Sequence, residues 1–479
     1  MARLRARFGF LPIIASFLAV GCSVGPRYKQ PLVNIQPYHN APAIRSSSAL
    51  AAPSLDSWWT GFNDAELVKI VDRALSQNLD LAASFARVAQ ARAAAQAAGA
   101  NRKPDFNIEG RNTSSRQSIE TPIGRAVTGV FPGFKRNQNF LDLGIGATWE
   151  TDIFGSFKRA AEAANAEAQA AEAQGLGTRV SVAAEAADAY MQIRGAQVRL
   201  AFAKEQTETD EHLLQLVSQR RKAGIASDRE LAQAEALLSQ AKATIPQLNI
   251  ILEAQLNRLD VLMGAQPGTY AAELRSPADI PAIPDIAHTL DAASLLRRRP
   301  DIIAAERRIE ASNARIGQAL AEYYPKISLS ALLGSEAETP GGLFRETGFQ
   351  PTLVVGLRWR LFDFGRVDAE VRQARGANAE ALVQYRGSVL RATEDVENAL
   401  NALAQSESRG DEITREISSL QRAKDLSEQS YKAGVIPLTD VLDADRQLLI
   451  AKDDLASTRE SAARAAVGSF RALGGGWTQ

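Results

Sequence analysis

Four stretches of the chain alternate between apolar residues and polar or small residues. Their apolar positions are Phe106, Ile108 and Gly110, then Leu141, Leu143, Ile145, Ala147 and Trp149, then Ile327, Leu329, Ala331 and Leu333, and finally Leu353, Val355, Leu357, Trp359 and Leu361. A period of two predicts β-strands with one apolar face and one polar face. Polar loops, Ser114 to Asn139 and Glu336 to Gln350, are predicted to join the strands of each pair.

The four predicted strands have the pattern of strands that cross a bilayer. Each has about the ten residues that a tilted transmembrane strand needs, and Trp near strand ends suits a membrane interface. In this interpretation the side chains facing lipid are Leu143, Ile145, Leu329, Val355 and Leu357, and those facing the lumen or its mouth are Glu150, Arg358 and Arg360. Two soluble hairpins packed on a core are the alternative.

Four strands do not close a transmembrane barrel. The smallest outer-membrane barrels have about eight strands, and an unpaired strand edge is not tolerated in lipid. If these strands cross a membrane, several chains must therefore share one barrel whose polar inner face lines water.

Long helical patterns follow each pair of predicted strands. The stretch from Gly155 to Lys222 contains no Pro and is rich in helix-favouring Ala, Glu, Gln and Arg. Beyond it, apolar residues recur every seven positions, at Leu231, Leu238, Ile245, Leu252 and Leu259, and again at Val441, Leu448 and Leu455. This period predicts supercoiled antiparallel helices joined at Lys-Ala-Gly, with a kink at Pro246. From these stretches alone, an ordinary coiled coil is the alternative.

The strands and helices occur twice, as two copies of one unit. Three pairs of residues lie 210 positions apart: Trp149 and Trp359, Gly224 and Gly434, and Gly264 and Gly474. Two earlier pairs lie 221 positions apart: Asp80 and Asp301, and Pro104 and Pro325. The first copy therefore carries 11 extra residues between Pro104 and Trp149. Constant offsets over such spans indicate an internal structural repeat.

The start of the chain is typical of an exported lipoprotein. Basic residues precede the apolar run Phe8 to Val20, which is too short to span a membrane and predicts a signal peptide. Leu18-Ala-Val-Gly-Cys22 resembles a bacterial lipobox, which implies cleavage after Gly21 and a lipid on Cys22. Ser23, rather than Asp, follows the cysteine, which resembles the sequence of lipoproteins that are sent to the outer membrane. A lipid would anchor the chain without spanning the bilayer; an unmodified cysteine in a discarded leader is the alternative.

These features predict six segments. They are a signal peptide (1–21), a lipidated N-terminal arm (22–54), a first repeat (55–264), a Pro-rich linker (265–287), a second repeat (288–474) and a C-terminal tail (475–479).

Charge and motifs argue against several classes of function. Lys and Arg number 55, as do Asp and Glu, so there is no electrostatic case for binding nucleic acid. His39, His212 and His288 lie far apart without metal-ligand spacing, and the common catalytic motifs are absent. The sequence therefore predicts no catalytic residue, no cofactor and no metal site.

Several motifs together resemble one family of membrane proteins. They are Leu295-Leu-Arg-Arg-Arg-Pro-Asp301-Ile, Tyr324-Pro325, Tyr431-Lys-Ala-Gly434, Asp440-Val-Leu-Asp443-Ala and Leu473-Gly-Gly-Gly-Trp477. With the repeat and the lipobox, they resemble the outer-membrane factors of the TolC/OprM type, in the NodT-like lipoprotein subgroup. The resemblance covers essentially all of the mature chain.

The resemblance implies an α+β membrane protein that forms a homotrimer. Its twelve-stranded outer-membrane β-barrel, with four strands per chain, would continue into a long periplasmic α-helical barrel. It would export drugs or other small molecules delivered by an inner-membrane transporter of the RND type through a periplasmic adaptor protein. A periplasmic coiled-coil scaffold or adaptor lipoprotein and an outer-membrane duct for protein secretion are the alternatives.

The resemblance also implies constriction residues beside the second Lys-Ala-Gly turn, at Tyr431, Asp440 and Asp443. Glu230 holds the place in the first copy that Asp440 holds in the second. Asp440 and Asp443 are three residues apart and share a helix face, so symmetry would copy them into a ring of carboxylates that binds cations. Solvated helix carboxylates are the alternative.

This chain departs from the family pattern just after the second turn. Some relatives have an Arg there, where this chain has Ile436 and Pro437. An Arg-based latch is therefore in doubt, and the closed state is expected to rest on other hydrogen bonds or on apolar packing.

Overall fold

The structure of the protein is a computed structural model that describes residues 23–32, 36–44, 53–131, 133–286 and 298–478. The predicted signal peptide, Cys22 and His288 lie outside these residues. The chain divides into two compact units. The first comprises residues up to 30, 89–169 and 306–383, and the second 31–88, 170–305 and 384–479.

The described residues contain both helices and strands. The helices are α1 (Ala65–Gln77), α2 (Leu79–Ala100), α3 (Pro122–Val130), α4 (Ser156–Lys222), α5 (Asp228–Leu262), α6 (Ala271–Leu274), α7 (Pro300–Ala321), α8 (Arg366–Lys432) and α9 (Leu438–Ala472). The strands are β1 (Asp105–Arg116), β2 (Asn137–Thr151), β3 (Lys326–Ala337) and β4 (Thr352–Arg358). Short 3-10 turns occur at Ala41–Ala43, Leu55–Phe62, Pro340–Gly342 and Glu346–Gly348.

The internal repeat predicted from the sequence is confirmed in the helices. Helices α4 and α8 have 67 residues each, and α5 and α9 have 35 each. Both pairs start 210 positions apart, at Ser156 and Arg366 and at Asp228 and Leu438. Helix α5 contains Pro246 and continues beyond it.

The four strands form one antiparallel sheet in the first unit, in the order β1-β2-β3-β4. Directly paired residues lie on the same face of a sheet, and successive residues alternate between faces. The register pairs Ile108 with Ile145, Ile145 with Leu333, and Leu329 with Val355. The predicted apolar positions therefore share one face of all four strands, and the polar positions share the other.

Three strand and loop boundaries differ from the prediction. The first predicted loop is too long, because β1 continues to Arg116, β2 begins at Asn137, and α3 lies between them. The second is also too long at its start, because β3 continues to Ala337. Strand β4 has only seven residues and ends at Arg358, so Arg360 and Leu361 are not in it. As an edge strand, β4 is paired on one side only.

Aromatic residues from distant parts of the sequence form the core of the second unit. The rings of Trp58 and Phe470 stack at 5.3 Å between centroids, and Phe62 packs edge-on against both. Tyr190 is fully buried, and its hydroxyl donates to Asp64 Oδ2 at 2.7 Å. Asp64 also caps α1 by accepting from the N–H groups of Glu66 and Leu67.

The predicted heptad is the most buried stripe in only part of its length. In α9 its positions Val441 and Leu448 are buried and Leu455 is half-buried. In α5 Leu259 is buried but Leu231, Leu238, Ile245 and Leu252 are half-buried, whereas Ala234, Ala241 and Leu248 are buried. The two stripes lie three residues apart and share one broad helix face. Alanine at two positions of the deeper stripe allows close helix contact but gives a weak hydrophobic signal in the sequence.

The predicted Pro-rich linker is packed rather than loose where it is described. Ala271 and Leu274 of α6 and the later residue Ile286 are buried in the core of the second unit. Asp260, at the end of α5, accepts from the N–H groups of Gly268 and Tyr270 and so fixes the start of this segment.

Candidate functional site

Both long hairpins end in the same glycine turn. Gly224 and Gly434 have φ angles of 74° and 75°, a left-handed conformation that glycine adopts without steric cost. The N–H of Ile225 donates to the carbonyl of Arg220, and the N–H of Val435 donates to that of Ser430, each at 2.9 Å. These are the hydrogen bonds of a Schellman motif, which pairs carbonyl groups at a helix end. The repeated Lys-Ala-Gly sequence thus produces the two predicted turns.

The tips of the two hairpins pack against each other in the second unit. Leu213, Val217 and Ala234 of the first hairpin are buried, and Leu438 and Leu442 of the second hairpin pack against them. The two tips therefore form one small apolar cluster, and a change in packing at one tip can alter the packing of the other.

A polar contact also joins the tips. The guanidinium of Arg220, in the last turn of α4, donates to the hydroxyl of Tyr431, in the last turn of α8. It also lies 5.4 Å from the centre of the Tyr431 ring, within the range of a cation–π contact. Sequence reasoning selected Tyr431 but missed Arg220. The sequence did contain a signal for Arg220. It is a basic residue in the last turn of the first copy's long helix, next to the residue that corresponds to Tyr431.

The predicted gate residue Glu230 has a structural role at the first tip. Its carboxylate accepts from the N–H of Ser227 at 2.6 Å, and the Ser227 hydroxyl accepts from the N–H of Glu230. This is a capping box, which satisfies otherwise unpaired N–H groups at a helix start. The hydrogen bond from the Ser227 backbone lowers the pKa of Glu230, so the carboxylate stays charged at neutral pH.

Asp440 and Asp443 lie in the first turns of α9 at the second tip. Pro437 is the N-cap and makes no side-chain capping bond. The exposed carboxylate of Asp440 accepts from the Thr439 hydroxyl at 3.4 Å. Asp443 accepts from Arg446 at 2.8 Å and from Gln447 at 2.7 Å. The structure therefore brings Tyr431, Asp440 and Asp443 to one tip, with Asp443 already paired along its own helix.

Two further carboxylates behind the tips were not identified from the sequence. Asp445 is buried and forms an ion pair with Lys424, which ties α9 to α8. Asp210 is also buried and accepts from Gln206 at 2.8 Å; its burial raises its pKa. Asp210 lines a groove of about 230 Å³ between α4, α5 and α9, together with Phe202, Leu237 and other residues.

The residues predicted to face the lumen lie in or beside the polar face of the sheet. Glu150 is paired with Ser328, and Arg358 with Lys326, on the face opposite the apolar one. Arg360 lies beyond β4 and forms ion pairs with Glu322 and Glu370, each at 3.1 Å. The expectation that Arg360 belongs to a strand is therefore wrong: β4 ends at Arg358, and Arg360 pairs with carboxylates just after α7 and in the first turns of α8.

The residues just after Cys22 lie against the start of α4. The N–H of Val24 donates to the carbonyl of Phe154 at 3.3 Å, and Arg159 Nε donates to the carbonyl of Val24 at 3.0 Å. Gly25, with φ of 100°, lies so close to Gly317 that a side chain would not fit. Cys22 itself lies outside the described residues, but its neighbours are held beside the end of β2.

The described ranges contain neither a metal-binding cluster nor a membrane-spanning helix. Within these ranges, His, Cys, Asp and Glu do not come together in groups of three or more suited to a metal ion. None of the helices described is both long and apolar enough to cross a membrane.

Comparison with known proteins gives a consistent result. The family described as "Outer membrane efflux protein" matches residues 70–265 and 292–475. The chain is 32% identical to the pyoverdine export outer membrane protein OpmQ of Pseudomonas aeruginosa, over 89% of this chain and 88% of that protein. It is 29% identical to nodulation protein T of Rhizobium leguminosarum bv. trifolii, over 92% and 91% of the two chains.

Solved structures show the same fold. The outer-membrane channel OprN has a TM-score of 0.86 and 32% identity, over 95% of this chain and all of its own. The fold class predicted from the sequence is confirmed: an α+β membrane channel with four strands and a long helical part in each chain.

Proposed function

The chain belongs to the outer membrane efflux protein family, and from this premise we propose that it is the outer-membrane channel subunit of a tripartite efflux system. The family is one of transport channels and not of enzymes. The channel would passively export drugs or other small molecules. An inner-membrane transporter of the RND type would deliver them through a periplasmic adaptor protein.

The two-faced sheet is the observation that carries this proposal. Its apolar face includes Ile145, Val355 and Leu357, which are 52%, 66% and 69% exposed in the single chain. Such an area suits contact with lipid rather than water. Because four strands leave two open edges, we infer a homotrimer in which twelve strands close one barrel. Glu150, Arg358 and, at its mouth, Arg360 would then face the lumen.

The first experiment separates the channel from its alternatives. Membranes are fractionated and extracted with high salt and then with detergent. A channel is expected in the outer-membrane fraction as a heat-modifiable trimer that needs detergent for extraction. A monomer released by salt would support the periplasmic scaffold instead. Loss of secreted proteins, with unchanged small-molecule export, in a strain without the chain would support the secretion duct.

A pair of valine variants tests the assigned faces of the sheet. Val355 lies on the apolar face and Val354 on the polar face of the same strand. Val355→Arg is expected to cost about 2–4 kcal/mol if it meets the bilayer midplane and to block assembly. Val354→Arg, the matched control, would meet water and should assemble. The opposite result would reverse the faces.

We propose that Cys22 is the lipidated N-terminus of the mature chain. The docking of Val24 and Gly25 beside the end of β2 supports this position, because it would hold an acyl chain near the membrane surface. Mass spectrometry of the mature protein should find acylated Cys22. An unmodified N-terminus downstream of Cys22 would refute the anchor and leave the channel proposal intact.

We further propose that the hairpin tips form the periplasmic gate. Symmetry would repeat Asp440 beside Asp443 in every chain, and Tyr431 would hold the second tip through Arg220. Some relatives have an Arg just after the second turn, where this chain has Ile436 and Pro437. The contact between Arg220 and Tyr431 would take over the role of a latch formed by such an Arg. Glu230 would act through its capping box, by fixing the first tip. The nearby groove and the tip surfaces are the proposed contacts for the adaptor.

Single-channel recording tests the gate. Asp440→Ala with Asp443→Ala is expected to raise conductance or lower cation selectivity, because the ring of charge is lost. Glu235→Ala, which removes an exposed carboxylate from α5, is the matched control. Unchanged currents and unchanged sensitivity to multivalent cations in the double variant would refute the assigned role.

A further inference from the structure

The hairpin of β1 and β2 projects beyond the rest of the sheet. Strand β2 pairs with β3 only as far as Leu141, whereas it stays paired with β1 as far as Asn137, opposite Arg116. These four additional residue pairs carry the hairpin roughly 13 Å further than β3. The N–H of Gln117 donates to the carbonyl of Arg136 at 2.7 Å and closes the base of the loop that follows.

This loop contains the helix α3. The hydroxyl of Thr121 caps the helix by accepting from the N–H of Gly124 at 3.1 Å, and Pro122 lies in the first turn. A side chain at Gly124 would collide with the carbonyl of Ser118, so glycine lets the helix rest on the start of the loop. The helix lies where the first copy of the repeat carries 11 extra residues. The loop between β3 and β4, which is described throughout, has short 3-10 turns instead.

One face of α3 is apolar and uncovered in the single chain. Ile123, Val127, Val130 and the C-cap residue Phe131 have the spacing of one helix face. Ile123, Val130 and Phe131 are exposed, and Val127 is half-buried. Arg125 lies on the opposite face, two residues after Ile123. An apolar stripe opposite a basic face is the pattern of a helix that lies in a membrane interface.

The same loop is basic, although the chain as a whole is neutral. From the end of β1 to the start of β2 there are four basic residues and one acidic residue: Arg116, Arg125, Lys135 and Arg136, with Glu120. The loop between β3 and β4 has one basic residue and two acidic ones. Positive charge is therefore concentrated on the projecting loop, where it is complementary to anionic headgroups.

The position of Arg116 relates this charge to the apolar face of the sheet. Because side chains alternate along a strand, the continuous register puts Arg116 on the same face as Ile108, which is the apolar face. Asn112 and Ser114 lie between them on that face, so its apolar part ends before Arg116. In a bilayer, the headgroups lie just beyond the hydrocarbon layer. Arg116 is thus at the level of the headgroups, on the side that faces lipid.

We propose that the loop between β1 and β2 binds the anionic lipid surface around the barrel, with the apolar stripe of α3 inserted among the lipids and the basic residues on headgroup phosphates. This inference rests on the proposed channel, which puts the apolar face of the sheet in the bilayer. The loop then lies outside the cell, because it is at the end of the strands opposite α2 and α4. Lipid is the occupant because the loop's charge continues the lipid-facing side of β1.

Fluorescence quenching tests the insertion of α3 in the full-length channel. Val130→Cys carries an environment-sensitive fluorophore, and the protein is placed in vesicles of phosphatidylcholine with phosphatidylglycerol. Gly129→Cys is the matched control, because its neighbourhood is open and it lies about 100° around the helix from Val130. Wild-type protein, treated in parallel, corrects for label on Cys22. Brominated acyl chains should quench the label at 130 strongly and the label at 129 weakly, and iodide in the water should do the reverse.

The other outcomes of this experiment overturn the proposal. Equal quenching at the two positions would show that the stripe is not inserted. A label at 130 that is protected from both quenchers would place the stripe against protein, such as a second copy of the loop. Either result leaves the channel intact when the labelled protein sizes as a trimer in the vesicles. A wild-type protein that does not insert into the vesicles overturns both.

Removal of charge tests the headgroup contact separately. Arg116→Gln with Lys135→Gln removes two exposed charges, and each should lower the ratio of inserted to detached loop about fivefold in the same vesicles. High salt should act in the same direction, because it screens these charges. Arg345→Gln removes an exposed charge from the loop between β3 and β4, and this control should change nothing. Unchanged quenching at 130 in the double variant, or equal insertion into phosphatidylcholine alone, would overturn the contact with anionic headgroups.

Discussion

The two hairpin tips have nearly the same backbone but different side-chain chemistry. Both turn at a glycine with φ near 75°, and both use the same hydrogen bonds to end the preceding helix. The next helix begins at the capping box of Ser227 and Glu230 in the first tip, and after Pro437 in the second. The carboxylate of Glu230 thus stabilises the start of a helix, while Asp440, at the corresponding position of the second copy, is exposed. The side chain of Asp440 can therefore have a different role although the backbone is the same.

Among the variants of the tips, the largest expected effect concerns the glycine turn that both tips share. Gly224→Val and Gly434→Val should each destabilise the protein by about 1–2 kcal/mol, because a branched side chain is strained in the left-handed region. Thermal unfolding of the purified channel measures both. Gly376→Val, at an open position within α8, is the control and should cost clearly less. An equal loss at Gly376 would contradict the conformational argument.

The next effect should differ between the tips. Ser227→Ala is expected to cost about 1 kcal/mol, as loss of an N-cap side chain usually does. Pro437→Ala removes no capping side chain and should cost little. Hydrogen exchange of the first turns of α5 and α9 measures the two effects locally. Equal protection losses at both tips would show that the capping box does not distinguish them.

A comparable or smaller effect should come from the contact that links the tips. Tyr431→Phe removes one hydrogen bond, worth about 0.5–1.5 kcal/mol net, and should raise the open probability of the channel. If Arg220 acts through this hydroxyl, Arg220→Gln should add little to Tyr431→Phe. Additive effects in channel recordings would instead separate the two side chains.

The smallest expected effect is a pH dependence confined to the first tip. The pKa of Glu230 is lowered in the folded chain by its bond to the Ser227 backbone. Its contribution to stability is therefore present above the ordinary carboxylate pKa and is lost as pH falls through the lowered one. Glu230→Gln should accelerate hydrogen exchange at the start of α5 at pH 7, with the difference from wild type shrinking in acid. A difference independent of pH would contradict the charged cap.

Local patterns in the sequence predicted much of this fold. Alternation along β2 and β3 predicted the two faces of these strands. The 210-residue offset predicted two equal copies of the long helices, and the repeated Lys-Ala-Gly sequence predicted both turns. The capping box was also readable, since Ser227 and Glu230 have its spacing, although Glu230 was selected for the gate alone. Apart from the offset, which compares two copies of one unit, these features depend on residues a few positions apart, whose side chains share a face or whose backbone groups reach one another.

Other features depend on contacts between residues that are distant in the chain, and only the tertiary structure decided them. Arg220 and Tyr431 are 211 positions apart, and Arg360 pairs with Glu322, 38 positions before it, rather than extending β4. Likewise, Ala234 is buried because Leu213 and Val217 of the neighbouring helix pack with it, not because alanine is strongly hydrophobic. Sequence periodicity by itself determined which residues share a face, because local geometry sets that. Which distant side chain meets that face was decided by how the elements pack.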